Sequence, residues 1–78
     1  MLKRAFVLIN TAQGKAREVS DSIKQRKGVV SAHAVTGPYD VIVVAEAESL
    51  ADIGDLVTSR IQSIPSISRT VTCICLAR

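Results

Sequence analysis

The amino-acid sequence predicts an α+β fold in which two helices cover one face of a four-stranded antiparallel sheet. Three observations predict this fold. Short apolar runs rich in Val and Ile are typical of strands, two longer segments repeat their apolar residues at the helical period, and Gly, Pro and Asp separate two of the strands. The elements follow the order βαββαβ along the chain. Because the chain has 78 residues, we expect a single domain over residues 1–78.

The first strand and the first helix are predicted within residues 2–28. The run Phe-Val-Leu-Ile within residues 2–9 indicates a strand, and Asn10 and Thr11 are expected to end it and to cap the following helix. The helix is predicted from apolar residues at spacings of four, three and four, namely Ala12, Ala16, Val19 and Ile23. Gly28 is the expected stop signal of this helix.

A strand, a turn and a second strand are predicted next, over residues 29–36, 37–40 and 41–47. Ser49, with Asp52 three residues later, is typical of a helix N-cap. The second helix is predicted from apolar residues at helical spacing, namely Leu50, Ile53, Leu56, Val57, Ile61 and Ile64. Pro65 ends it, and residues 67–76 form a last strand rich in β-branched residues. This order is that of the ferredoxin-like fold, with the first and third strands at the centre of the sheet.

Both faces of the two central strands are apolar. One face carries Ala5, Val7, Ile9, Val41, Val43 and Ala45, and the other carries Phe6, Leu8, Ile42 and Val44. The two helices can cover only one of these faces, and an exposed sheet of aliphatic residues is a larger apolar patch than soluble monomers normally tolerate. We therefore expect the second face to be buried against another copy, in a two-fold dimer packed sheet to sheet.

Composition and charge exclude several classes of protein. The longest purely apolar run, residues 41–45, is far shorter than the roughly 20 residues of a membrane-spanning helix. The apolar stretch near the N-terminus is too short for a signal peptide, so we expect a cytoplasmic protein. The net charge is +3, but the basic residues are scattered apart from Lys24, Arg26 and Lys27. We expect these three to form the solvated end of the first helix rather than a phosphate-binding patch.

Outside the turns, few residues are of types that would bind RNA or a metal or take part in catalysis. The third strand has no aromatic residue on which RNA bases would stack, and the loop after the first strand has no thiolate for a metal. Cys73 and Cys75 are expected to be small buried core residues, and His33 an ordinary strand or interface residue. We therefore expect no catalytic residue, no metal and no cofactor.

One cluster stands out, because Gly37, Tyr39 and Asp40 lie within four positions between two strands. Two interpretations stay open. In the first, Gly and Pro set the backbone angles of a hairpin turn and Asp40 binds local amides. In the second, a ligand approaches the main chain at Gly37, free N–H groups bind its carboxylate and Asp40 binds its ammonium group, with hydroxyls from Thr70 and Thr72. Such a set of groups would suit an amino acid.

The sequence Val-Thr-Gly-Pro-Tyr-Asp over residues 35–40, the capped second helix and the segment over residues 65–72 leading to Leu76 resemble the effector-binding domain, or RAM domain, of the Lrp/AsnC family. The resemblance runs from about Ala5 to Leu76. It implies a homodimeric α+β barrel that assembles into higher oligomers of octamer or decamer type, with amino-acid effectors bound between dimers near the turn. By position, it implies a ligand-binding role for Thr36, Gly37, Tyr39, Asp40 and Thr72.

Regulators that the sequence resembles place a helix-turn-helix domain before this module, whereas here the module begins at the first residues. We therefore expect a stand-alone RAM domain, without direct DNA or membrane binding, that senses an amino acid or joins full-length Lrp/AsnC regulators. Two alternatives stay open. One is a small dimeric α+β barrel enzyme, monooxygenase-like or isomerase-like, with His33, Phe6 and Tyr39 as its candidate cavity residues. The other is an ACT-like regulatory module, whose sheets pair side by side rather than face to face.

Overall fold

The elements lie close to where the sequence pattern predicts them. The computed structural model describes residues 2–76. In chain order the elements are β1 (Lys3–Thr11), α1 (Ala16–Lys24), β2 (Val29–Ala34), β3 (Val41–Ala47), α2 (Leu50–Asp55), a π-helical segment (Leu56–Ile61) and β4 (Ile67–Ile74). This is the expected βαββαβ order of the ferredoxin-like fold. No helix in the described part of the chain is long and apolar enough to cross a membrane.

The four strands form one antiparallel sheet with the order β2-β3-β1-β4, so the first and third strands lie at its centre, as predicted. In the β1–β3 ladder, Ala5 pairs with Ala45 and Ile9 with Val41. On the other side of β1, Ile9 pairs with Thr70 of β4. Because paired residues share a face, this register places the alternating residues of all four strands on two defined faces.

The core lies between the sheet and the helices. The buried strand residues are Ala5, Val7, Ile9, Ala32, Val41, Val43 and Ala45, and the buried helical residues are Val19, Ser20, Ile23, Ile53, Leu56, Val57 and Ile61. α1 packs mainly on β2, and α2 packs on β3 and β1. The face of the central strands that the alternation predicts to be covered is therefore the one that the helices bury.

No helix in residues 2–76 covers the other sheet face. We call this face the open face. Its apolar residues are Phe6, Leu8, Ile42, Val44 and Val71. Phe6 is 39% exposed, and the other four are partly exposed. Phe6 pairs with Val44, and Leu8 lies between Ile42 and Val71, so the five side chains form one continuous apolar surface across three strands.

The predicted start of the first helix is wrong. Asn10 and Thr11 do not cap it, because both continue β1 and pair with residues of β4. The helix begins at Ala16, after Lys15, whose side chain makes no capping hydrogen bond. It ends at Lys24, earlier than Gly28, which lies in the turn to β2 with a φ of +94°. Residues 10–11 therefore pair with β4 as part of the sheet instead of forming a local helix cap.

The predicted cap of the second helix is confirmed. The Ser49 Oγ accepts a hydrogen bond from the Asp52 N–H at 3.1 Å. The helix then widens, since the Gln62 N–H donates to the carbonyl of Val57 at 2.8 Å, five residues back. Leu56, Val57 and Ile61 of the π-helical segment are all buried.

The expectation that both cysteines are buried core residues is wrong for the single chain. Cys73 is exposed and Cys75 is partly buried. The reason is the register, because Cys73 pairs with Phe6 and therefore lies on the sheet face that no helix covers. His33 pairs with Ile42 on this same face and is also exposed.

Candidate functional site

The turn at residues 37–40 lies at the end of the sheet where β1 stops. The Asp40 N–H donates to the Ile9 carbonyl at 2.8 Å, and the Val35 N–H donates to the Asp40 carbonyl at 2.9 Å. The Asn10 side chain also reaches the turn, because its Nδ2 donates to the Pro38 carbonyl at 3.0 Å. The turn is therefore tied to β1 by both backbone and side-chain hydrogen bonds.

Within residues 2–76, the Asp40 carboxylate accepts one hydrogen bond. Its Oδ2 accepts a hydrogen bond from the Thr11 N–H at 2.8 Å, and the pair is partly buried. The amide that it binds therefore belongs to β1, 29 residues earlier in the chain, and not to the turn itself. A carboxylate has about four lone-pair sites on its two oxygens, so this contact leaves Oδ1 available for a ligand.

Gly37 provides open space beside the main chain. Its φ is +130°, a backbone conformation that side-chain-bearing residues rarely adopt. A Cβ placed on Gly37 would meet no atom within 4 Å, so the backbone here is accessible from outside. Within residues 2–76, the N–H groups of Gly37 and Tyr39 donate to no protein atom. These features leave room and donors for a small anionic group next to the turn.

The structure brings four of the five predicted site residues together. Thr36, Gly37, Tyr39 and Asp40 share the turn region, with Thr36 exposed and Tyr39 partly buried. The fifth residue, Thr72, is not adjacent to them in the single chain. It lies on β4 opposite Val7, two residues along β1 from Ile9, and is exposed on the helix-side face of the sheet.

Two residues of the turn region were not predicted as part of the site. Asn10 and Thr11 hold the turn through the Pro38 carbonyl and the Asp40 carboxylate. The sequence pattern predicts a helix cap at these two residues, which is a local role. The antiparallel pairing of β1 with β3 would have indicated that Asn10 and Thr11 lie near the turn, because this pairing places the end of one strand beside the start of the other.

A larger cleft lies at the opposite end of the sheet. It has a volume of about 710 Å³ and lies between the end of β3, the turn before β2 and the second helix. Its lining includes Glu46, Glu48, Asp52 and Asp55, the acidic residues of this part of the chain. Glu46 is paired with Arg4 at 2.6 Å. The lining also includes Lys27 and Arg60, so its acidic residues outnumber its basic residues by four to two.

The fold and the turn define a class of small domain in which a ferredoxin-like sheet carries a candidate site for a small ligand at one end. A model of the Lrp/AsnC ligand binding domain matches residues 4–78. The chain belongs to the Lrp/AsnC family.

Relatives of this chain are named as transcriptional regulators. The uncharacterized HTH-type transcriptional regulator PH1916 of Pyrococcus horikoshii is 30% identical over 73 residues, which are 90% of this chain and 49% of that protein. The chain thus spans about half the length of the curated relatives that it matches.

Solved structures share the fold over the whole described chain. The hypothetical protein PHS023 from Pyrococcus horikoshii superposes with a TM-score of 0.89 at 37% identity, covering 100% of this chain and 93% of that one. The transcriptional regulator NMB0573 of Neisseria meningitidis, solved as a complex with L-Met, superposes with a TM-score of 0.83 at 21% identity. That match covers 96% of this chain and 50% of the regulator, and at this identity it shows the fold alone.

Proposed function

We propose that this chain is an amino-acid-binding and oligomerisation module with a regulatory role, and that its effector binds at the Gly37–Asp40 turn. One observation carries the proposal. The turn is fixed to β1 by hydrogen bonds, yet it leaves open space at the Gly37 backbone and one oxygen of a partly buried carboxylate without a role in the fold.

These groups match the two charged ends of an amino acid. The N–H groups of Gly37 and Tyr39 are donors for its carboxylate, and the Asp40 carboxylate is an acceptor for its ammonium group. Thr36 lies beside them and supplies a hydroxyl. The L-Met complex of the structurally similar regulator supports a ligand of this class. In our proposal, Thr72 contributes only when a second copy completes the site, because it is remote from the turn in the single chain.

The open face supports the proposed assembly of several copies. Five apolar side chains on three strands stay accessible to solvent in the single chain, and burying them would add to the core of a small domain. We propose that two copies pack face to face through this surface as a dimeric α+β barrel. Dimers then assemble into larger rings of octamer or decamer type, which bring the turns of neighbouring dimers together.

The regulatory half of the proposal rests on the relatives. They are named as helix-turn-helix regulators, and the match to this chain covers about half of their length. We propose that residues 1–78 supply effector binding and assembly rather than DNA binding. The chain then acts as a sensor by itself or by joining full-length Lrp/AsnC regulators.

Ligand binding is tested by a thermal-shift screen of the twenty amino acids, followed by calorimetry on those that stabilise the protein. The informative variant is Asp40→Asn, because an amide oxygen can still accept the Thr11 N–H while the charge is lost. We expect Asp40→Asn to bind the amino acid at least about tenfold more weakly than the wild type does, because the variant loses a charge-assisted hydrogen bond.

The matched control is Asp21→Asn, which removes the same charge from an exposed position on α1. It should bind as the wild type does. If no amino acid stabilises the wild type, or if Asp40→Asn binds as tightly as Asp21→Asn, the proposed site is wrong.

Assembly is tested by sedimentation at micromolar concentration. We expect the wild type to be a dimer or larger and Val44→Asp to dissociate, because a carboxylate buried in an apolar interface is strongly unfavourable. Leu50→Asp, on an exposed part of α2, is the control and should not change the mass. A Val44→Asp protein that keeps the wild-type mass would favour the side-by-side pairing of an ACT-like module over face-to-face packing.

A further inference from the structure

We infer that the Arg4–Glu46 ion pair continues across the proposed dimer, so that Arg4 of each copy also binds Glu46 of the partner subunit. Four alternating charges then hold one end of the open face against the second copy and fix how the two sheets face each other. The inference rests on the proposed face-to-face dimer. It goes beyond that proposal, because it assigns the direction of the two-fold axis and the residues that set it.

Arg4 and Glu46 lie on the open face, at one end of its apolar residues. The two residues pair in the β1–β3 register, two positions along from the pair of Phe6 with Val44. Residues two apart on a strand share a face, so the ion pair directly borders the apolar surface. The side chains of Arg4 and Glu46 are 51% and 26% exposed, so both stay accessible to a partner.

The ion pair leaves hydrogen-bonding groups free on both side chains. The Arg4 Nε and Nη2 donate to the Glu46 Oε2, at 2.9 and 2.6 Å. Within residues 2–76, the Arg4 Nη1 donates to no protein atom and the Glu46 Oε1 accepts from none. A guanidinium has more N–H donors, and a carboxylate more lone pairs, than this pair uses. Each side chain can therefore bind a second group of opposite charge.

The place of the pair in the sheet makes it self-complementary. Because β3 and β1 are the central strands, a two-fold axis parallel to them and above their boundary places β1 of each copy over β3 of the other. Paired residues then meet each other's partners, so Arg4 faces Glu46 of the partner subunit and Phe6 faces the partner subunit's Val44. Packed sheets lie about 10 Å apart, a distance that an arginine and a glutamate side chain can bridge together.

Charge disfavours the other axis that would pack the open faces together. An axis perpendicular to the strands reverses the order of the rows, so that each end of the open face meets the opposite end of the partner's. Asp40 lies at that opposite end, two positions before Ile42, so Glu46 would face Asp40 of the partner subunit. Two carboxylates that face each other across an interface repel. Charge complementarity therefore selects the axis parallel to the strands.

The test reverses each charge singly and then mixes the two variants. Sedimentation over a series of concentrations gives the dissociation constant of the dimer. We expect Arg4→Glu and Glu46→Arg each to dimerise at least about tenfold more weakly than the wild type, because like charges then meet at both symmetry-related contacts. An equimolar mixture should form a heterodimer about as tightly as the wild type does, since both contacts then join opposite charges.

Pairing inside one chain cannot explain this recovery, because positions 4 and 46 of each variant carry like charges. The matched control is Arg17→Glu, which makes the same change of charge at an exposed position on α1 and should dimerise as the wild type does. The inference is overturned if the mixture dimerises no better than the separate variants. It is also overturned if Arg4→Glu dimerises as tightly as Arg17→Glu.

A second measurement keeps the charges in place and so does not depend on the folding of the reversed variants. Arg4→Lys supplies an amine that a carbodiimide joins to a contacting carboxylate as an amide. In a mixture of ¹⁵N-labelled and unlabelled Arg4→Lys, we expect an amide between positions 4 and 46 that joins one labelled and one unlabelled peptide. Cross-linked dimers without this linkage would overturn the inference.

Failure of this inference can be told apart from failure of the proposed dimer. If the wild type is a dimer that Val44→Asp dissociates, but the charge variants and the cross-link give the contrary results, the dimer stands and the contact between Arg4 and the partner subunit's Glu46 is wrong. A wild type that stays monomeric contradicts both.

Discussion

Asp40 holds the turn on β1 and is also the proposed ligand-binding acid, and its contribution to stability can be worked out from one contact. Its Oδ2 accepts the Thr11 N–H at 2.8 Å, in a partly buried position. Asp40→Ala removes the acceptor and leaves that N–H without its partner. Asp40→Asn keeps an acceptor oxygen at nearly the same place. The two variants therefore differ in the hydrogen bond and share the loss of charge.

The expected magnitude follows from the type of hydrogen bond. Bonds to charged groups contribute about 1.5–3 kcal/mol, and the partly exposed position of Asp40 favours the lower end, about 1.5 kcal/mol for Asp40→Ala. For a domain of this size, that loss corresponds to a melting temperature lower by about 6–12 °C. The neutral bond of Asp40→Asn should limit the cost to less than about 1 kcal/mol.

Urea unfolding followed by far-UV circular dichroism measures both variants. Protein concentration must be held constant, because association shifts apparent stability. If Asp40→Ala unfolds within about 0.3 kcal/mol of the wild type, the carboxylate does not hold the turn on β1. If Asp40→Asn is as destabilised as Asp40→Ala, the charge matters rather than the acceptor, and the described hydrogen bond is not the cause.

Three further predictions concern the fold that positions the site. Ser49→Ala should cost about 1 kcal/mol, because the Ser49 Oγ caps α2 through the Asp52 N–H, and an unchanged urea midpoint would contradict the cap. Ile61→Ala, at a fully buried position, should cost about 2–5 kcal/mol. Leu50→Ala, at a position 54% exposed, should stay within about 0.5 kcal/mol of the wild type in the same assay, and equal losses would contradict the described core. Gly37→Ala should cost about 1–3 kcal/mol through its φ of +130° alone, since no atom would meet the new Cβ, and wild-type stability would show that the turn relaxes.

Regular alternation made the central strands predictable from the sequence. The predicted bounds of β3, residues 41–47, agree with Val41–Ala47, and its alternating residues divide between the two faces as expected. The reason is that a face buried by helices imposes a period of two on the sequence. The Ser49 cap was predictable for a similar reason, because its partner is only three residues away.

The misplaced features depend on residues distant in sequence. Thr11 was assigned to a helix cap, but its partners are β4 and the Asp40 carboxylate. Cys73 was expected in the core, but its pairing with Phe6 places it on the face without a helix. Arg26 is predicted in solvent, but it is partly buried beside a cleft that residues 63–66 also line. Composition and spacing carry no information about such long-range neighbours.

The proposed binding of an amino acid at the Gly37–Asp40 turn is tested by a crystal structure of the protein with the amino acid that stabilises it most. We predict that its ammonium group lies within hydrogen-bond distance of the Asp40 carboxylate and that its carboxylate accepts from the N–H groups of Gly37 and Tyr39. A ligand bound elsewhere on the protein would contradict binding at this turn, as would the failure of all twenty amino acids to stabilise the protein.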